Sequence, residues 1–182
     1  MKRLIVTPPV LPPAALTELK DWLGITTAQD DAPLGQLLRT ALELCEDFTG
    51  RMPLTATCEE MLCVTGGWQH LGVRPVQAIT LVEGIPNAGP RFALASTAYE
   101  LDLDADGGGA IRVLSPGAAG RIAVRFIAGI APDWSALPDT LRHGVIRLAA
   151  HQHRAREGDA AAPLPPAAVA ALWRPWRRLR LA

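Results

Sequence analysis

"YELDLDADGGGAIRVL", residues 99–114, can be read in two ways, and the two lead to different folds. Asp102, Asp104 and Asp106 alternate and Gly107 follows at once, which is how a calcium-binding EF-hand loop opens. Counted from Asp102, however, position 9 is Ala110 and position 12, where a bidentate carboxylate is needed, is Val113. An EF-hand also needs a helix on each side, and "YELDLD" and "AIRVL" are strand-like. The other reading is a hairpin: a strand over 98–103, an Asp-Gly turn and a strand over 110–114. Asp-Gly supplies the positive-φ positions that such turns demand. The hairpin reading is adopted, and it makes the middle of the chain a sheet.

Outward from the hairpin the same grammar continues from about 54 to 130. "CEEMLCV", "VQAITLV", "RFAL" and "RIAVRFIAG" are short and rich in β-formers, and Gly66-Gly67, Gly84, Gly89-Pro90 and Pro116-Gly117 separate them. Several short strands with turns between them predict a small antiparallel sheet. Helical spacing holds on both sides of this region. Leu16, Leu19, Trp22 and Leu23 predict a first helix over 14–23, stopped at Gly24. Leu34, Leu37, Leu38, Ala41, Leu44, Cys45 and Phe48 form one buried face of a second helix over 32–49, stopped at Gly50. Leu141, Val145, Leu148, Ala149 and Gln152 line one stripe of a third helix over 138–156. Residues 1–13 hold four prolines and read as an extended arm. Residues 158–166 read as a linker, and 167–182 as a last amphipathic segment. The expected fold is α+β and mainly helical: a small helical bundle with an antiparallel-sheet insert between the second and third helices, and a C-terminal arm.

Composition narrows the function. The 182 residues are 49% hydrophobic, enough for a real core. Eighteen basic and eighteen acidic residues cancel, whereas a dedicated nucleic-acid binder carries a basic excess. Near-neutral chains keep poorly apart in solution, which suits life in an assembly. Cys45, Cys58 and Cys63 are an odd set without a CxxC, so a disulfide framework is not expected and a reducing cytoplasm fits. "MKRLIV" has too short an apolar run for a signal peptide, and no apolar stretch is long enough to span a bilayer. The chain is read as soluble and intracellular when made.

No catalytic or metal-binding constellation emerges. His143, His151 and His153 share one predicted helix, but at about 100° per residue His151 and His153 point about 160° apart, with His143 about 80° further round. They cannot converge on one ion and are read as solvated or interface residues. Cys58 and Cys63, five apart in a strand, point to opposite faces and are read as small buried hydrophobes. Neither "GGWQH" nor "DGGGA" has the Lys-Ser/Thr pair of a phosphate loop or a strand-to-helix GxGxxG. The expectation is a protein without enzymatic activity, metal or cofactor.

The tail "LWRPWRRLRLA", 172–182, carries more information. Trp173, Trp176 and Leu179 recur every three residues, and Arg174, Arg177, Arg178 and Arg180 fill the gaps. Tryptophan and arginine dominate interface hot spots. Three readings stand: an amphipathic tail packed on its own domain, a docking peptide for a partner protein, or a nucleic-acid or membrane patch.

The order of these pieces resembles the phage head–tail connector (adaptor) family, including the adaptors of gene transfer agents. "LTELKDWLGI" (16–25), followed by Asp30 and Asp31, is similar to that family's opening helix, although Leu23-Gly24-Ile25 replaces its usual Leu-Arg-Ile/Val. "LLRTALELCEDFTGRMP" (37–53) resembles its second helix with the Thr-Gly-Arg exit. "VRPVQAITLVEG" (73–84), "YELDLDADGGGAIRVL" (99–114) and "RIAVRFIAGI" (121–130) resemble its strands, and "LPDTLRHGVIRLAAHQHRARE" (137–157) its third helix. The resemblance covers most of 14–180. It implies a connector domain over 14–157 and a structural subunit of a ring, commonly twelve-fold, beneath the portal protein at the capsid vertex. Such a ring extends the DNA channel, lets DNA pass without specific binding, offers a platform to the stopper or tail-side neck protein, and has no membrane contact. It implies portal docking by the C-terminal segment, here Trp173, Arg174, Trp176, Arg177, Arg178, Leu179 and Arg180. Another neck protein, a stopper or tail-completion protein, is the nearest alternative; a DNA-binding or metal-binding module is a more distant one.

Overall fold

The computed structural model describes residues 3–155 and 165–177. The chain divides into two compact units. One is formed by residues up to Pro9 together with Thr55–Gly129, and the other by Val10–Leu54 together with the chain from Ile130 onward.

The first unit is built of β-strands, with one 3-10 turn over Ser96–Ala98. Its five-stranded antiparallel sheet has the order β1-β2-β8-β4-β5, built from Arg3–Thr7 (β1), Ala56–Cys63 (β2), Val76–Pro86 (β4), Phe92–Ala93 (β5) and Ala119–Ala128 (β8). A three-stranded sheet has the order β3-β7-β6, from Gln69–His70 (β3), Tyr99–Leu103 (β6) and Gly109–Val113 (β7). β8 is the centre of the larger sheet. Its Ile122, Val124, Phe126 and Ala128 alternate along one face and are buried. Cys58, Leu62, Val82, Ile111 and Val113 add to this interior.

The aspartate stretch is a hairpin, with β6 and β7 paired from Tyr99↔Val113 to Leu103↔Gly109. Asp104 closes the turn: its side chain accepts the Gly108 N–H at 2.6 Å and its carbonyl accepts the Gly107 N–H at 3.0 Å. Gly107 sits at φ 77°, in the left-handed region that glycine enters without strain.

The second unit is helical: Pro13–Leu23 (α1), Asp31–Thr49 (α2), Asp139–Ala155 (α3) and Ala167–Trp173 (α4), continued by a 3-10 turn over Arg174–Trp176. Gly24 and Gly50 end α1 and α2 at φ 73° and 69°, as the sequence leads one to expect. Lys20 bonds Asp31 in the first turn of α2 at 2.6 Å, and the Trp134 indole donates to Glu18 at 2.9 Å. The core joins Leu19, Leu34, Leu38, Ala41 and Cys45 to Trp134, Leu141, Val145, Leu148, Val169 and Trp173. Where the chain leaves this unit and returns to it, Ile130 and Ala131 donate to the carbonyls of Met52 and Pro53 at 2.9 and 3.1 Å. That short parallel zip fastens both ends of the β insertion.

The expected mainly helical bundle is corrected by this architecture. Helix accounts for 36% and strand for 30%, with four helices and eight strands in two antiparallel sheets among the described residues. The region between α2 and α3 is long enough to close an interior of its own. It also recruits β1 from residues expected only as part of an extended arm: Arg3↔Glu60, Leu4↔Glu59 and Ile5↔Cys58 pair antiparallel. The strand stops where Pro8 and Pro9 withdraw their N–H groups from any ladder. The 158–166 linker lies outside the described residues except for its last two positions.

Candidate protein-interaction surface

Within the helical unit, α4 and its 3-10 turn pack on α2 and α3 through the tryptophans of the tail. Trp173 is fully buried. Its indole N–H donates to the Leu141 carbonyl at 3.3 Å, and its ring meets Phe48 at 6.0 Å between centroids. The indole lies against α3 where Gly144 has no side chain; a Cβ there would overlap the ring. Glycine in mid-helix costs about 0.5–1 kcal/mol relative to alanine, so this packing offsets a real local penalty. Trp176 is half-buried and donates to Thr140 Oγ1 at 2.9 Å, and the Arg177 guanidinium lies 5.4 Å from the Phe48 centroid. Arg174 is exposed.

The seven residues expected to dock a partner therefore part company. Trp173 is a core residue; a residue that anchors a partner must be exposed, and this one is occupied in fixing α4. Trp176, Arg174 and Arg177 remain at the surface together. Arg178, Leu179 and Arg180 lie outside the described residues. The signal that could have revealed the role of Trp173 is Gly144, a helix-weakening residue in an otherwise regular amphipathic stripe.

Beside α4 is a cleft of about 180 Å³ lined by Trp22, Arg147, His151, Arg154, Pro166 and Val169. Its charged wall is one face of α3, because residues 147, 151 and 154 are spaced i, i+4, i+7. Trp22 is 45% exposed and meets the His143 ring edge-on at 5.2 Å. His143 and His151 are thus placed at the unit's surface features, and His153 is half-buried.

In the β unit, Glu59 is 6% exposed and bonded by Arg91 at 2.9 Å and Arg125 at 3.2 Å. Arg125 lies directly across the β2–β8 ladder from Glu59, which brings the opposite charges together. Burial pushes the Glu59 carboxyl up, but the hydrogen bonds and charges of the two arginines outweigh this and hold it below the usual range. Glu60, also buried, accepts the Gly72 N–H at 3.0 and 3.1 Å. Both glutamates serve the architecture. Cys58 is buried and Cys63 exposed on opposite faces of β2, so the expected geometry holds while the burial expected of both applies only to Cys58.

No family model matches the chain, and neither does any curated protein. Solved structures do. A chain from the neck of an empty gene transfer agent (GTA) particle, computed with C6 symmetry, superposes with a TM-score of 0.79 at 29% identity, over 100% of this chain and 98% of that one. A chain from the neck of a native GTA particle, computed with C12 symmetry, gives 0.75 at 29% identity, covering 98% and 97%. A chain from the virion of the native GTA particle gives 0.74 at 30% identity, covering 100% and 98%. With likeness of this degree across the full length of both chains, in both the helical and the β unit, the chain belongs to the family of GTA neck structural proteins.

Proposed function

We propose that the chain is a head–tail connector (adaptor): a ring subunit that joins the capsid portal protein to the stopper or tail-side neck protein and extends the DNA channel of a GTA or phage particle. The observation that carries this is the full-length likeness, at a TM-score of 0.79, to a chain of a GTA particle neck. The C12 symmetry of a related neck favours twelve copies around the channel. Each copy would add one modest contact, and the ring would hold through their sum. The work is mechanical rather than catalytic, and DNA passes through without being gripped.

In this reading α4 is not a free arm but a seated base. Trp173 fixes it, and Trp176, Arg174 and Arg177 face the portal. Arginine suits that task because its planar fork pairs with carboxylates and carbonyls alike. A capture assay against the portal protein tests it. Removing everything from 163 onward would take Val169 and Trp173 out of the core and confound folding with binding. The informative variants are a chain ending at Arg177 and the pair Arg174→Glu/Arg177→Glu. Capture of the wild type and loss in both variants is expected. Equal capture of all three rejects the tail as the portal contact. No capture of the wild type rejects the adaptor role and favours a stopper or tail-completion protein.

A further inference from the structure

Two small patches of opposite charge stand out on this neutral chain. Arg147 and Arg154 line the α3 cleft, and neither is paired with a carboxylate among the described residues. Arg154, in the last turn of α3, complements the partial negative charge of a helix C-terminus. Arg147 lies two turns further in, where that effect has faded, so among the described residues its guanidinium has no counterpart. His151 between them and the exposed Trp22 ring opposite complete a concave site suited to carboxylates, with a flat apolar wall to exclude water.

The counterpart is on the β unit. At the hairpin tip, Asp104 is tied to the Gly108 N–H at 2.6 Å and to Arg74 at 3.5 Å, which braces the turn. Asp102 and Asp106 on either side are exposed and have no ionic partner among the described residues. The braced turn therefore presents two carboxylates, and the cleft two guanidinium groups, that have no ionic partner among the described residues.

We propose that the hairpin tip of one copy docks through Asp102 and Asp106 into the Arg147–His151–Arg154 cleft of the next copy. This rests on the ring reading above and names the contact that builds the ring. Two different, complementary patches on one chain make a heterologous contact, which repeats head to tail and closes under cyclic symmetry. A self-complementary patch would stop at a dimer. The charged contact also sets register, because a like-charged neighbour is rejected.

Sedimentation velocity over a concentration series of the full-length chain tests this, with four samples: wild type, Arg147→Glu/Arg154→Glu, Asp102→Lys/Asp106→Lys, and an equimolar mixture of the two variants. Wild type self-associates, and each variant alone does so at least about tenfold more weakly. The mixture recovers association, because the acidic cleft of one variant accepts the basic hairpin of the other and the unchanged patches also match. The hairpin variant alters no residue of α3, so it reads the contact independently of any damage to the helical unit. Variants that associate like wild type, or a mixture that fails to recover, overturn the contact and leave the ring reading standing. A wild type that stays monomeric throughout removes the ring reading and the contact together. Fluorescence anisotropy with a labelled DNA duplex covers the remaining occupant. If Arg147→Glu/Arg154→Glu loses duplex affinity and keeps its self-association, the cleft is a phosphate site and the proposal fails.

Discussion

Gly144→Ala separates what the helix prefers from what the fold demands. In an exposed helix interior the change stabilises by about 0.8–1 kcal/mol, because alanine restricts the unfolded chain and favours the helix. Here the added Cβ would overlap the buried Trp173 indole. Forcing a methyl group into a packed core costs about 1–3 kcal/mol. Displacing the ring also strains the Trp173 bond to Leu141 at 3.3 Å, worth about 0.5–1.5 kcal/mol. The packing terms exceed the propensity term, so Gly144→Ala should destabilise by about 1–2 kcal/mol. Replacing Trp173 by leucine should reverse the sign, and Gly144→Ala should then gain about 1 kcal/mol. The double-mutant cycle should therefore show coupling of about 2–3 kcal/mol. The four α-helices among the described residues all belong to the helical unit, so urea unfolding followed by circular dichroism at the helix band reports on it. Stabilisation by Gly144→Ala in the wild-type background would refute the seating of Trp173, and with it the account of α4 as a fixed base.

Other outcomes follow from the same contacts. Glu59→Gln should destabilise the β unit by about 1–3 kcal/mol and lower amide protection in β2 and β8, read by hydrogen exchange. Because the folded Glu59 carboxyl is held below its usual range, its contribution is present above the unfolded value and lost as pH falls through the folded one. The acid limb of the β unit's stability should accordingly flatten in Glu59→Gln; an unchanged limb would count against the pairing. Cys45 is buried, and that burial, with the nearby Glu46 charge, pushes its thiol up to about 12. Maleimide labelling of the native chain should therefore modify Cys63 alone, with Cys45 and Cys58 reacting after unfolding, as intact mass would show. Gly107→Ala should cost about 1–3 kcal/mol, because φ is 77° and the new Cβ would meet Pro75; a melting temperature equal to wild type would contradict the hairpin geometry.

The sequence by itself determined the local elements. The Asp-Gly turn, the glycines closing α1 and α2, and the heptad-like stripe from Leu34 to Phe48 each act within a few residues, so their consequences are readable in order. The strands expected from the short β-rich runs, β2 and β4 through β8, follow for the same reason. Tertiary structure decided what depends on distant partners. β1 is five residues without clean alternation, and it is a strand only because β2 leaves an edge open to it. β3 is two residues long, and its ladder is made by β7. The gathering of β1 and the insert into a separate β unit could not be read from strand content, since no local pattern states which strands share an interior. The tail shows the limit most sharply. Its Trp and Arg spacing marks a face that must be covered, but the same periodicity serves a core and an interface equally. The missing Cβ at Gly144, 29 residues away in sequence and adjacent in space, is what assigns Trp173 to the core and leaves Trp176, Arg174 and Arg177 at the surface.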